Sequence, residues 1–215
     1  MNKMRQNIYT ICFAIILGLA CATLLTAAAV VAGPKQKANR KAEKTRNILS
    51  ALKVPFEAEA SPADLIAIFE HDVEEQKDDS EDALELYLYK PEGSDAVKAV
   101  AVLFAGSGRN GSIKGILALE PDYKTIRGLT FYEQEETPGL GAEIVTEDFC
   151  GRFEGRYIAD AEGQRGIDII AGGAKQAQDN EIVGISGATM TCDKVEEMIN
   201  KVIEALASKR DADGQ

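Results

Sequence analysis

The sequence predicts an α+β protein: a single N-terminal transmembrane helix, then a domain with a largely antiparallel sheet and a C-terminal helix. Three observations predict it. Between Arg5 and Lys35 lie 29 residues without a formal charge. Strand-like apolar runs then follow one another through connections of a few residues, which only antiparallel pairing can close. The last stretch sets Val195, Met198, Ile199, Val202, Ile203 and Leu206 three and four residues apart, an apolar stripe at helical period. A chain of 215 residues holds enough material for one sizeable core and an appendage.

The uncharged stretch contains IYTICFAIILGLACATLLTAAAVVAG, long enough as a helix to cross about 30 Å of hydrocarbon. A cleaved signal peptide is the first rival, with Ala27-Ala28-Ala29 as a cleavage-like site. Its apolar core would span only about 7–15 residues. A lipoprotein signal with Cys21 as acceptor is the second rival, but Gly18 stands where such signals prefer a larger aliphatic residue. The stretch is read as an anchor. KQKANRKAEKTRNILSALKV follows as a basic helix, at the membrane surface or as a solvated stalk. SPADLIAIFEHDVEEQ reads as a helix over 61–76, with Ser61 as N-cap and Pro62 in the first turn. KDDSED is an acidic loop. ALELYLYK, AVKAVAVLFAG, SIKGILALE and TIRGLTFYEQE are strands, with PEGSD and PDYK as turns between them. EDFCGRFEGRYI is a short helix or irregular segment, GIDIIAGG another strand, and Asp193 with Glu196 suggests a capping box for the last helix.

Charge is unevenly placed. Residues 35–53 carry seven basic side chains against Glu43, while the whole chain stands at −11, so the body after residue 53 is strongly acidic. An acidic body speaks against nucleic acid as a partner. Counted by charge alone, the basic stretch after the span would put the body on the cytoplasmic side. Cys150 and Cys192 are isolated in the body and read as small apolar fillers. With His71 alone of its kind, read as a helix surface residue, there is no zinc or iron–sulfur pattern.

Three glycine-bearing motifs stand out. GSGRNG, Gly106 to Gly111, spells G-x-G-x-x-G, but a strand and not a helix follows it. A dinucleotide site is therefore rejected in favour of a hairpin loop, or a loop approaching a flat ligand. Glu136-Thr137-Pro138-Gly139-Leu140-Gly141 is a tight turn whose glycines let backbone approach such a ligand. Ser186-Gly187-Ala188-Thr189-Met190-Thr191 joins a strand-like run to the last helix. If it is extended, Thr189 and Thr191 face the same way. The helix behind it favours an anion or phosphate ester, and an ordinary cap by Thr191 or Asp193 is the plainer reading.

SGATMT before a C-terminal helix, with ETPGLG about 50 residues earlier, resembles the FMN-binding domain of two membrane complexes. In one it belongs to the C-type subunit of the Na+-translocating NADH:quinone reductase. In the other it belongs to the G-type subunit of the Rnf complex. LALEPDYKTIRGLTFYEQEETPGLGAEI and NRKAEKTRNILSALKV are more similar to the C-type subunit. The resemblance implies a cytoplasmic tip and span over 1–34, a basic juxtamembrane stalk over 35–60 and an FMN-binding domain over 61–215. It implies FMN bound covalently through its phosphate to Thr189, with Ser186, Gly187 and Ala188 leaving room and Thr191 beside the phosphate. Glu136, Thr137, Pro138, Gly139, Leu140 and Gly141 would approach the ring, with Leu140 on its face. It also implies a single-pass inner-membrane protein with its domain in the periplasm, carrying electrons within NADH:ubiquinone reductase (Na+-transporting). Its partners would be the other subunits, membrane lipid and a flavin transferase. No acid–base catalytic residue and no metal ligand is called for. Val183 stands where the family has Asp, and the glycine loop lacks the family's Leu-Trp. Two alternatives are the G-type subunit of an Rnf-type ferredoxin:NAD oxidoreductase, and a membrane-anchored scaffold protein that has lost its flavin.

Overall fold

A computed structural model describes residues 2–76, 84–91, 96–175 and 178–213. The acidic loop at 77–82 and most of the PEGSD turn lie outside the described residues. The chain forms two compact units, Met1–Ala42 and Glu43–Gln215. The first is helical throughout its described residues and lies within α1 (Asn2–Ala51). Its apolar side chains, among them Ile8, Phe13, Leu19, Leu25 and Val31, are exposed around the helix. The helix is long and apolar enough to cross a membrane.

The second unit begins inside the segment read as a stalk, so the last turns of α1 belong to the domain. They are followed by α2 (Pro62–Asp72), whose start is capped as expected. The Ser61 hydroxyl accepts the Asp64 N–H, and the Asp64 carboxylate accepts the Ser61 N–H. The expected helix over 61–76 is corrected at its end: Val73–Gln76 is strand β1. It pairs antiparallel with β2 (Leu86–Tyr89), Val73 opposite Tyr89. Helix propensity in Glu-Glu-Gln yields there to the unpaired edge that β2 offers.

β1 and β2 continue into β3 (Ala99–Ser107), β4 (Ser112–Leu119) and β5 (Ile126–Gln134), a five-stranded antiparallel meander in chain order. GSGRNG is the β3–β4 hairpin loop, closed by the Gly108 N–H on the Gly111 carbonyl at 2.7 Å. A 3-10 turn (Gly141–Val145) and α3 (Glu147–Gly151) follow. β6 (Asp168–Ile170) and β7 (Glu181–Val183) form a separate two-stranded parallel sheet. The chain ends in α4 (Thr189–Asp213). The α+β class and the largely antiparallel sheet are as the sequence predicts.

Alternation along the strands divides the interior into two cores. Leu86, Leu88, Val100, Val102 and Phe104 face α4, where they meet Val195, Ile199, Val202 and Ile203. Their neighbours Tyr87, Ala99, Ala101, Ile116 and Ala118 face the other way, onto Ile48, Leu49 and Leu52 at the end of α1 and Leu65 of α2. Small residues on this second face let α1 come close. A Cβ on Gly128 would lie 2.5 Å from the Ala51 carbonyl oxygen. Arg127 Nε donates to the Leu52 carbonyl at 2.8 Å and Thr130 Oγ1 to that of Asn47 at 3.1 Å.

Because the obstacle at Gly128 is backbone, it cannot move aside. Gly128→Val is expected to destabilise the domain by about 1–3 kcal/mol, as overpacking does. Urea unfolding of the purified chain checks this, and an unchanged midpoint contradicts the close contact.

Candidate functional site

Three loops converge at the start of α4. The helix begins at Thr189, four residues before the expected Asp193–Glu196 box. Its first intrahelical bond runs from the Cys192 N–H to the Ala188 carbonyl at 3.0 Å. The N–H groups of Thr189, Met190 and Thr191 precede it and have no carbonyl of this helix to meet. Glu196 therefore does not cap the helix. It accepts the Ile169 N–H at 2.7 Å and ties β6 to α4. Its pKa is raised, first by burial; the Ile169 N–H works against that shift, and the charges of Asp168 and Asp193 add to it.

The SGATMT stretch is therefore not extended. At 100° per residue, Thr189 and Thr191 point to opposite sides of the first turn. Thr189 is exposed and Thr191 is 1% exposed. The Thr191 hydroxyl donates to Glu136 Oε2 at 2.9 Å. Glu136 is itself buried. Its other oxygen, Oε1, accepts the Asn110 N–H from the β3–β4 loop at 3.0 Å. The Asn110 side chain donates to Thr137 Oγ1 at 2.5 Å. One carboxylate thus joins the hairpin loop, the 136–141 loop and the first turn of α4.

Glycine at 141 makes this closure geometrically feasible. A Cβ there would lie 2.6 Å from both Glu136 Oε2 and Thr191 Oγ1. The turn is completed by the N–H groups of Leu140 and Ala142 on the Thr137 carbonyl. Pro138 and Gly139 are exposed at its tip. Leu140 is 42% exposed and Met190 58%. Leu140 lies over Gly187, whose φ is +81° and where a Cβ would be 3.2 Å from Leu140 Cδ2. Ser186 is exposed and Ala188 buried, so the small residues form a narrow shelf between Leu140 and the helix start.

Behind the shelf, Arg152 Nη1 donates to the carbonyls of Val183 and Gly184 at 2.8 and 2.9 Å, and the guanidinium pairs with Asp148. The half-buried Val183 lies in β7. Cys192 is buried beneath the shelf, where its sulfur accepts the Ile185 N–H at 3.4 Å. Burial pushes its thiol pKa up, and pushes that of Cys150, near Glu154, up to about 12. Both are fillers, as the sequence suggests, and His71 is an exposed surface residue paired with Asp72. Among the described residues no cluster of side chains is suited to a metal ion.

All eleven residues that the sequence points to, Glu136 to Gly141 and Ser186 to Ala188 with Thr189 and Thr191, come together here. Sequence reasoning missed Asn110, Met190 and Arg152. The hairpin glycines around Asn110 were the available signal.

The arrangement suits a phosphate ester of a flat, partly apolar group. An exposed hydroxyl stands at a helix start with open N–H groups, favourable to phosphate. Exposed apolar side chains, Leu140 and Met190, stand on either side of it in the chain. The site thus fits FMN. Replacing Glu136 with Ala would leave the Asn110 N–H and the buried Thr191 hydroxyl without their acceptor. Glu136→Ala is expected to cost about 1–3 kcal/mol of stability. Thermal unfolding checks it, with Thr191→Val removing the same link from the other side.

The chain is similar to known FMN-binding proteins and to subunits of a membrane redox complex. Residues 108–204 match the FMN-binding domain family. The C-type subunit of the Na+-translocating NADH-quinone reductase of Yersinia pestis is 34% identical over 117 residues, covering 54% of this chain and 44% of its own length. The chain thus spans less than half the length of the first curated relatives it matches. The same protein of Vibrio alginolyticus is 26% identical over 214 residues, covering 84% of each chain. The crystal structure of its counterpart from Parabacteroides distasonis is 25% identical, with a TM-score of 0.66 over 77% of this chain and 90% of that one. The likeness to the C-type subunit seen in the sequence is met in both comparisons.

Proposed function

We propose that this chain, whose residues 108–204 match the FMN-binding domain family, is the electron-carrying C-type subunit of a Na+-translocating NADH:quinone reductase. FMN is held through its phosphate on Thr189. The observation that carries this reading is the convergence of ETPGLG and SGAT on one exposed threonine at a helix start, in a chain similar to the C-type subunit. When bound, the flavin supplies reversible acceptance and release of electrons.

The chain's own residues place it. Thr189 offers the hydroxyl for the phosphoester, and the N–H groups of the first α4 turn face the phosphate. Ser186, Gly187 and Ala188 leave space for the phosphate and for the modifying transferase. Leu140 packs on the ring, while Pro138 and Gly139 shape the turn that carries it. Glu136, Thr137 and Thr191 hold that turn to the helix by the hydrogen bonds described above. No side chain need move a proton, since the protein's contribution is position and electrostatics. The membrane-length helix anchors the protein in the inner membrane as a single pass, beside lipid and the other subunits. The domain lies on the periplasmic side, and the complex as a whole is a Na+-transporting NADH:ubiquinone reductase.

A flavin-free scaffold is the second reading, favoured only by Val183 at the position where the family has Asp. The G-type subunit of an Rnf complex would share the chemistry with another donor, whereas the relatives named above belong to the quinone reductase. Intact mass with in-gel fluorescence, on protein from its own membranes, separates the first two readings. The expected result is an added mass of FMN less one water, mapped to the peptide with Thr189. Thr189→Ala is expected to give a folded protein without flavin. Retention of covalent flavin by that variant sinks the assignment, and an unmodified wild-type peptide moves the scaffold reading ahead.

A further inference from the structure

The second unit holds a cleft of about 780 Å³ that the flavin site does not use. Its floor includes Leu119, Ile203 and Leu206. Leu206 lies 17 residues beyond Thr189 on α4, roughly 25 Å along the helix at 1.5 Å per residue. The cleft is therefore remote from the flavin.

Its walls are prepared for a partner. Tyr123 is held in the left-handed region at φ +57°. Asp122 fixes that turn by accepting the N–H groups of Lys124 and Thr125. The Arg210 guanidinium stacks over the Tyr123 ring at 4.4 Å. Tyr157 is 46% exposed, yet its backbone is pinned by a bridge to Thr125 and by its N–H on the Asp179 carbonyl. Outside the anchor only Leu140, Val145, Tyr157 and Met190 are exposed large apolar residues among the described ones. Tyr157 is the one that lines this cleft.

The charges in the cleft run against the rest of the body. Lys124 and Arg210 line it, and among the described residues neither has an ion-pair or hydrogen-bond partner for its charged group. Arg165 also lines it, as do two acids, Asp179 and Asp160. Asp160 is occupied by the Gln164 N–H at 2.7 Å. Lys124 stands near the Asp122 carboxylate and Arg210 on the Tyr123 ring, but neither charged group is held in an ion pair, and two such cations in an acidic body mark a place that receives negative charge. Rigid Tyr and Arg around an apolar floor are the side chains that anchor protein interfaces.

We propose that this cleft docks an acidic segment of a neighbouring protein in the same complex. An apolar side chain of that segment enters beside Tyr157, and its carboxylates meet Lys124 and Arg210. That the neighbour belongs to a shared complex rests on the function proposed above. The cleft serves assembly and not electron transfer.

The test places a photo-reactive benzoylphenylalanine at position 157 of the full chain in its native membranes and maps the cross-link by mass spectrometry. The expected product joins this position to an acidic peptide of another protein of the same complex. Lys124→Glu with Arg210→Glu is expected to lower its yield about tenfold. Covalent flavin on Thr189 is expected to stay unchanged in that variant, which shows that the domain is folded. A cross-link to lipid, to a small molecule or to a second copy overturns the proposal. So does the absence of any cross-link, or a yield indifferent to the two charge reversals. The flavin reports on the function separately. A cross-linked acidic segment with an unmodified Thr189 keeps the docking surface and sinks the redox reading.

Discussion

The site depends on one buried carboxylate. Glu136 accepts from Thr191 on one oxygen and from Asn110 on the other. A carboxylate out of water is tolerated only when its oxygens are met by donors. Here the donors come from two other segments, far apart in sequence. Satisfying the charge therefore requires the hairpin loop, the 136–141 loop and the first turn of α4 to be in place together. Position is thereby imposed on Thr189 and Leu140, neither of which bonds to Glu136. The small residues around the carboxylate follow from the same constraint, since side chains at 108 or 141 would occupy its space.

The meander supplies the frame for that closure. Its two faces carry residues of different size. Large aliphatic and aromatic groups face α4, and alanines with Gly128 face the end of α1. The α4 side is held by broad apolar burial, which fixes the helix axis but tolerates small sliding. The α1 side is held by close backbone approach and by Arg127 and Thr130 on helix-end carbonyls. The polar contacts at the first turn of α4, and Glu196 further along the helix, remove the remaining freedom to slide.

Much of this was legible in the sequence, because most of the fold rests on local patterns. The charge-free stretch, the short connections and the apolar stripe from Val195 to Leu206 name the anchor, the meander and the final helix. The capping box at Ser61 and Asp64 is a local device and appears where Ser61 and Pro62 place the helix start. The failures lie where distant contacts decide. Val73–Gln76 has a helix-forming composition, but the edge of β2 recruits it as a strand. Asp193 and Glu196 have capping spacing, but the helix starts earlier and Glu196 is claimed by β6. Two motifs named the segments that the fold brings together at the start of α4. The inward turn of Glu136 was not readable, because its partner Asn110 sits in a loop whose glycines suggested a hairpin or an approach to a flat ligand, and no partner for a carboxylate.

Thr189 stands on the outside of a domain whose core is already closed. Phe149, Phe153, Ile182 and Ile199 are buried among the domain's own side chains. On the function proposed above, the polypeptide completes its interior first, and the transferase then meets a finished surface with the acceptor oxygen displayed. In that proposal the prosthetic group is a late addition to a self-sufficient body, so a cell short of flavin is expected to accumulate intact, colourless protein instead of misfolded chains.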